Sequence, residues 1–233
     1  MDFPGYKVKV AGLNIHYKLC GEGTPVVLVH GGGNDWHEWK QNLAFLSQHF
    51  RVIALDLPGF GLSEAPDIPV SPFWNVAFLK DFMDSLGISG THLIGHSMGA
   101  MISIIFAADY PEYIKKIVLI DAGGIGKLSR KGRFLLAVFR TTDRLRGMKR
   151  GPKFLSVSAE AWLVRDRLPR IKSPVLIVWG RNDLYLPVSQ ARTAHNLIPG
   201  SNLHIFPGCG HAPQRESADE FNSLVLQFLE ETA

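Results

Sequence analysis

The stretch Leu93-Ile-Gly95-His-Ser97-Met-Gly99-Ala-Met-Ile102 runs from a short apolar segment through a turn of small residues into a longer apolar segment that reaches Ala108. That order predicts a buried strand, a sharp turn and a helix, with Ser97 at the apex and its hydroxyl projecting from the strand's end. The two glycines follow from the geometry. Side chains two positions on either side of so tight a turn would collide with neighbouring backbone. The helix starting there directs backbone N–H groups, and the positive end of its dipole, at the same point. A Gly-x-Ser-x-Gly string also arises by chance as a plain turn, so the flanking strand and helix carry the reading. No other serine in the chain has this spacing.

Outward from Ser97, further short apolar runs recur: Val26–Val29, Val52–Leu55, His92–Ile94, Ile117–Ile120, Val175–Trp179 and Leu203–Phe206. They are too short and too uniformly apolar for surface helices, and fit strands buried on both faces. Tyr6–Val10 and Leu13–Lys18, joined at Ala11-Gly12, read as a hairpin ahead of them. Between the runs lie helix signals. Ser71-Pro72 is an N-cap followed by proline at the first helical position, opening Phe73–Leu86. Pro187 opens a helix that stops by Ile198, before Pro199-Gly200. Ser217 and Glu220 have capping-box spacing ahead of an apolar face of Phe221, Leu224, Val225 and Phe228. This alternation predicts an α/β architecture, a mostly parallel sheet of eight strands with helices on both faces.

One segment breaks the rhythm. About 50 residues separate Ile120 from Pro174, where a link of a handful would serve. The segment is read as an insertion, helical and lying over the sheet. The insertion is basic: residues 127–153 hold ten Lys or Arg against one acid, Asp143, so the rest of a chain of net charge +4 is acidic. Concentration in one insertion is unlike the spread of charge and aromatics along a groove that nucleic-acid binding uses, and no nucleic-acid partner is expected. The bland reading of the cluster is a solvated helix face, and the sharper ones are weak docking to an anionic surface or capture of a carboxylated substrate. No apolar stretch reaches the roughly 20 residues needed to cross a bilayer, and the start lacks the pattern of a secretory signal, so a cytoplasmic protein is expected.

Ser97 needs a base and an acid. The histidines beyond the fifth strand run that come late enough are His195, His204 and His211. His195 falls inside a helix and His204 inside a strand, whereas His211 lies in Pro207-Gly-Cys-Gly-His-Ala-Pro, a loop just past the last strand. His211 is the predicted base. Asp183, in Gly180-Arg-Asn-Asp183 just past Trp179, is the predicted acid that accepts from His211 and fixes its tautomer, with Asp121 after the preceding strand as its rival. His30-Gly31-Gly32-Gly33, after Val29, offers backbone donors for an oxyanion, completed by the N–H of Met98. A dinucleotide fingerprint starting at Gly31 fails because Trp36 stands where its last glycine is needed, and no phosphate-binding Gly-x-x-x-x-Gly-Lys-Ser/Thr loop occurs.

With these residues placed, the chain resembles the α/β-hydrolase superfamily over essentially its whole length. His30-Gly-Gly-Gly, Asp56-Leu-Pro-Gly-Phe-Gly-Leu-Ser63, Gly95-His-Ser-Met-Gly99, Gly180-Arg-Asn-Asp183 and Gly210-His211 follow in family order. Within it the chain looks like the serine esterases and the meta-cleavage-product hydrolases, which cut carbon–carbon bonds. The resemblance implies that Gly32 and Met98 supply the oxyanion amides and that residues 122–172 form a helical lid inserted after the sixth strand, with residues 1–121 and 173–233 as the core domain. Two departures stand against the carbon–carbon branch: that group typically has Trp directly after the histidine, where this chain has Ala212, and its lid is longer. Serine rather than aspartate at 97 argues against epoxide hydrolase or dehalogenase chemistry.

The expectation is a carboxylesterase with an acyl-enzyme intermediate on Ser97, requiring neither metal nor organic cofactor. The alternatives are a carbon–carbon hydrolase, a thioesterase or lactonase, or a catalytically silent ligand-binding member of the fold. Gly31, Gly33 and Leu184, with lid residues Phe134, Val138 and Trp162, are expected against a small-molecule ester; Leu135, Phe139 and Phe154 are further lid wall candidates. The protein is expected as a monomer or homodimer.

Overall fold

The computed structural model describes residues 3–145 and 162–231, with side chains described for all of these except 139–145. Eight strands form one sheet: β1 Gly5–Val10, β2 Leu13–Cys20, β3 Pro25–Val29, β4 Arg51–Leu55, β5 Thr91–His96, β6 Ile114–Ile120, β7 Val175–Gly180 and β8 Asn202–Phe206. Their order is β1-β2-β4-β3-β5-β6-β7-β8. The β1–β2 and β2–β4 pairs are antiparallel and every later pair is parallel, as the hairpin followed by buried runs predicted. Ala11 and Gly12 both have positive φ, 49° and 83°, which twists the β1–β2 turn to match its strands.

The helices are α1 Lys40–Leu46, α2 Pro72–Ser85, α3 Met98–Asp109, α4 Arg130–Leu145, α5 Ser189–Leu197, α6 Pro213–Glu216 and α7 Ala218–Glu230. Side chains alternate across the parallel strands and fill two cores. Val27 and Val29 face one core with Phe82 of α2 and Ile105 of α3, while Val26 and Leu28 face the other with Leu43 of α1 and Phe221 of α7. This explains the unbroken apolar runs, since both faces of each central strand are covered. Among the described residues, no helix is long and apolar enough to cross a membrane.

Local signals held with one change. Ser71 Oγ accepts from the Trp74 amide at 3.1 Å and caps α2. Ser217 precedes α7, but its hydroxyl donates to Glu220 Oε2 at 3.2 Å and caps no amide, so no capping box forms.

The inserted segment is anchored at both ends. The Ser129 hydroxyl donates to the Leu184 carbonyl, and the Ser129 amide donates to the Tyr185 carbonyl at 2.9 Å, so α4 starts against the loop after β7. At the other end Val164, Leu168 and Ile171 are buried in the main core, and Arg167 Nη1 donates to both carboxylate oxygens of Asp109 of α3, at 2.6 and 2.7 Å. That end packs into the main core.

Candidate active site

Ser97 sits between β5 and α3 with φ 51° and ψ −109°, a conformation costly for a residue with a side chain. The strain is held by backbone bonds: the Ser97 amide donates to the Ile120 carbonyl at 2.9 Å, and its own carbonyl accepts from Gly123 at 3.0 Å and Met101 at 3.1 Å. The glycines serve as expected. A β-carbon on Gly95 would come within 2.5 Å of Ser103 Oγ and 2.6 Å of the Gly99 carbonyl, and one on Gly99 would overlap the Val29 carbonyl oxygen.

His211 Nε2 lies 3.1 Å from Ser97 Oγ, and His211 Nδ1 lies 2.7 Å from Asp183 Oδ2. The three predicted residues thus meet, although 114 positions of chain separate Ser97 from His211. Two close approaches bring the loops together. A β-carbon on Gly180 would overlap the Gly210 carbonyl, so glycine at the end of β7 lets the histidine loop lie against it. The Glu216 carboxylate accepts from the Gly210 amide at 2.7 Å and the Ala212 amide at 2.9 Å, clamping the chain on both sides of His211. The imidazole itself packs between the rings of His96 and Tyr185, with centroids 4.8 and 5.0 Å away.

Asp183 is fully buried at its side chain, and its Oδ1 accepts from the Tyr185 amide at 2.7 Å and the Leu186 amide at 3.1 Å. Burial alone would raise its carboxyl, but the hydrogen bond and charge of His211 outweigh that and hold it below the usual carboxylate range. Asp121, the rival acid, is no bystander. It stands at the end of β6 with φ 40° and accepts from the Gly180 amide at 3.2 Å. Burial, then the charge of Asp183 beside it, push its carboxyl well above the ordinary value, so Asp121 keeps a proton and hydrogen-bonds Asp183. Asp121, Asp183 and His211 are three potential metal donors with ligand atoms within 4.8 Å of one another. Their atoms face each other and nearby amides, which accounts for the cluster as a hydrogen-bonded relay.

The oxyanion turn is oriented by His30, the residue just before its glycines. The buried His30 accepts from the Leu57 amide through Nε2 at 3.0 Å and so donates through Nδ1 to the Gly31 carbonyl at 2.7 Å. Burial lowers its pKa, which keeps the ring neutral and suits both roles. Because C=O and N–H of a trans peptide point opposite ways, fixing the Gly31 carbonyl turns the Gly32 N–H away from His30. Gly32 lies beside Met98, the first residue of α3, whose amide has no partner inside the helix. The Gly31 amide, expected to face substrate, instead donates to the buried Glu38 at 2.9 Å.

The other expected contacts divide. Leu184 follows Asp183 and is 50% exposed; Phe134 and Val138 project from α4 at 69% and 43% exposure and do not pack on the sheet. Trp162 is half-buried against the main core, and Gly33 has φ 79° with open space around it. Phe139 and Phe154 lie outside the described side chains, and Leu135 is half-buried. His195 is tied to Ser201 at 3.0 Å, and His204 stays in β8, so neither reaches Ser97.

A strained serine on a strand–helix turn, relayed through histidine to a buried carboxylate and flanked by two backbone donors, defines the serine-nucleophile class of hydrolases. The chain belongs to the alpha/beta hydrolase family, whose pattern matches residues 26–224. Among its relatives, a 2-hydroxy-6-oxo-6-phenylhexa-2,4-dienoate hydrolase of Burkholderia cepacia is 33% identical over 94% of this chain and 92% of its own length. A 2-hydroxy-6-oxononadienedioate/2-hydroxy-6-oxononatrienedioate hydrolase of Escherichia coli O139:H28 is 35% identical over 93% of this chain and 91% of its own. A solved meta-cleavage product hydrolase from Pseudomonas fluorescens IP01 superposes with a TM-score of 0.82 at 28% identity, covering 96% of this chain and 97% of that one.

Proposed function

We propose that this chain hydrolyses the carbon–carbon bond beside a ketone in a 2-hydroxy-6-oxo-dienoate, using Ser97, His211 and Asp183. The observation that carries the reading is the agreement of relatives at 33% and 35% identity, each matched over more than nine-tenths of its length, on this one reaction class. It reverses the order expected from sequence, where ester cleavage stood first. His211 takes the Ser97 proton as the oxygen attacks the ketone carbon, and the amides of Gly32 and Met98 hold the oxyanion. The group that leaves is carbon 5, which is vinylic in the dienol and holds its electron pair out of conjugation; the proton of the 2-hydroxyl must first move to carbon 5, so that the 2-oxo-3-ene tail takes up the released pair as a dienolate, which His211 protonates as it departs. Water activated by His211 then releases the acid from Ser97.

Ester cleavage is the second reading, favoured by Ala212 in place of the Trp typical of the carbon–carbon branch. The same triad serves both. The deciding assay follows decay of 2-hydroxy-6-oxo-6-phenylhexa-2,4-dienoate and release of p-nitrophenol from acyl esters, with wild type and Ser97→Ala. Dienoate turnover lost in the variant, at a kcat/KM above that for any ester, supports the proposal. Ester turnover with the dienoate untouched overturns it in favour of a carboxylesterase.

A further inference from the structure

Beneath the triad lies a second buried charge relay that the reaction scheme leaves unused. Glu38, in the 3₁₀ turn Trp36–Trp39, and His96, the last residue of β5, form an ion pair through Oε1 and Nδ1, with side-chain exposures of 0% and 3%. Glu38 also accepts the Gly31 amide at 2.9 Å through Oε2 and the Gln214 side-chain amide of α6 at 2.7 Å through Oε1. His96 Nε2 lies 2.7 Å from the carbonyl oxygen of His211. Two residues therefore touch the oxyanion turn, the residue next to the nucleophile, the backbone of the base and the helix after it.

The protonation state follows from the partners. A carbonyl only accepts, so Nε2 carries a hydrogen; a carboxylate repels a lone pair, so Nδ1 carries one too. His96 is then a buried imidazolium. Burial opposes the charge, but Glu38 first, then the His211 carbonyl and Asp183, more than offset it, and the ring's pKa is raised. For Glu38 burial is likewise outweighed, by His96 and the Gly31 amide, and its carboxyl falls to about 2. The imidazolium ring is 4.8 Å from that of His211, with Glu38 meeting it at Nδ1, away from the Nε2 edge that faces the His211 carbonyl.

We propose that His96, charged by Glu38, is a positioning residue that locks the oxyanion turn and the base into one rigid unit and sets a positive charge beside His211. The bridge holds the base through a charge-assisted bond to its own carbonyl. This rests on the serine-hydrolase reading of Ser97 and His211, and not on which substrate they cleave.

Nitrogen-detected NMR of the wild-type imidazoles tests the charge with no variant and no substrate. Both ring nitrogens of His96 are expected protonated from pH 6 to 8. Glu38→Gln keeps the shape and can still accept from Gly31, but removes the counter-charge. His96 is then expected neutral at pH 7, with kcat lowered on the order of 10-fold on whichever substrate wild type turns over and KM within about twofold. A neutral His96 in wild type at pH 7 overturns the proposal. So does a folded Glu38→Gln protein that loses stability while keeping wild-type kcat, the signature of a merely structural pair. An inactive wild type with a doubly protonated His96 would strike at the hydrolase reading and leave the charged pair standing.

Discussion

The carboxyl of Asp121 faces the carboxylate of Asp183; burial and that neighbouring charge push Asp121 well above the ordinary carboxylate range, while His211 holds Asp183 below it. Two like charges in so buried a place cannot both persist, and the amides of Tyr185 and Leu186 with the ring of His211 settle the negative charge on Asp183. Asp121 keeps its proton and hydrogen-bonds Asp183. The acid that a triad needs thus arises from a pair of aspartates at the ends of adjacent strands β6 and β7.

Asp121→Asn tests this arrangement. An asparagine retains an oxygen for the Gly180 amide and gains an NH₂ to donate to Asp183, so activity is expected within a few-fold of wild type. Stability moves with pH. The unfolded Asp121 ionises above about pH 3.8, while the folded one holds its proton well beyond that, so folding loses stability as pH rises through this window. Asparagine removes that loss. At pH 7 a higher Tm than wild type is expected, the difference shrinking to nothing below about pH 4. Thermal unfolding at several pH values measures it, and an equal shift at every pH would contradict the assignment.

Asp183→Asn removes the charge that holds the base. A kcat loss on the order of 10⁴-fold is expected, with KM changed far less, because the amide can present its donor to His211 and select the wrong tautomer. The contrast with Asp121→Asn is the point: identical chemistry at two adjoining carboxyls, with effects on rate several orders of magnitude apart. Steady-state kinetics of both variants decides which aspartate is the acid.

His30→Leu frees the Gly31 carbonyl and leaves the Leu57 amide without its acceptor. A fall in kcat on the order of 10²-fold is expected from a misdirected Gly32 N–H. The orphaned amide costs about 1–3 kcal/mol of stability. Chemical denaturation and kinetics on the same preparation separate the two; a stability loss with unchanged kcat would show that His30 does not orient the oxyanion turn.

Gly99→Ala places a methyl group on the Val29 carbonyl, between α3 and β3. Neither is free to move, since the helix is buried along its length and the strand is central in the sheet. A destabilisation of about 3 kcal/mol is expected, read by urea unfolding, with the residual activity of the folded fraction reduced because Met98 shifts with the helix. By contrast, Gly33→Ala meets no atom and bears only its positive φ, so a cost of about 1 kcal/mol is expected.

How much of this was legible in the chain follows from what each feature depends on. The parallel sheet, the hairpin before it, the elbow at Ser97 and the order of nucleophile, acid and base are local: apolar runs, glycines and loop positions state them within a few residues. Periodicity and turn chemistry act over short spans, so a linear string carries them. The capping box at Ser217 failed because side-chain pairing with Glu220 competes with the amide, a choice made by local rotamers that spacing does not encode.

The tertiary structure alone decided the rest. That Asp121 is protonated depends on how near two strand ends lie, and that His96 meets both Glu38 and the His211 carbonyl depends on three segments far apart in sequence. It also took the Gly31 amide away from substrate and gave it to Glu38. Charge state and hydrogen-bond partner are properties of burial and distance, which do not exist until the chain has folded; residue type, period and turn are properties of the chain itself.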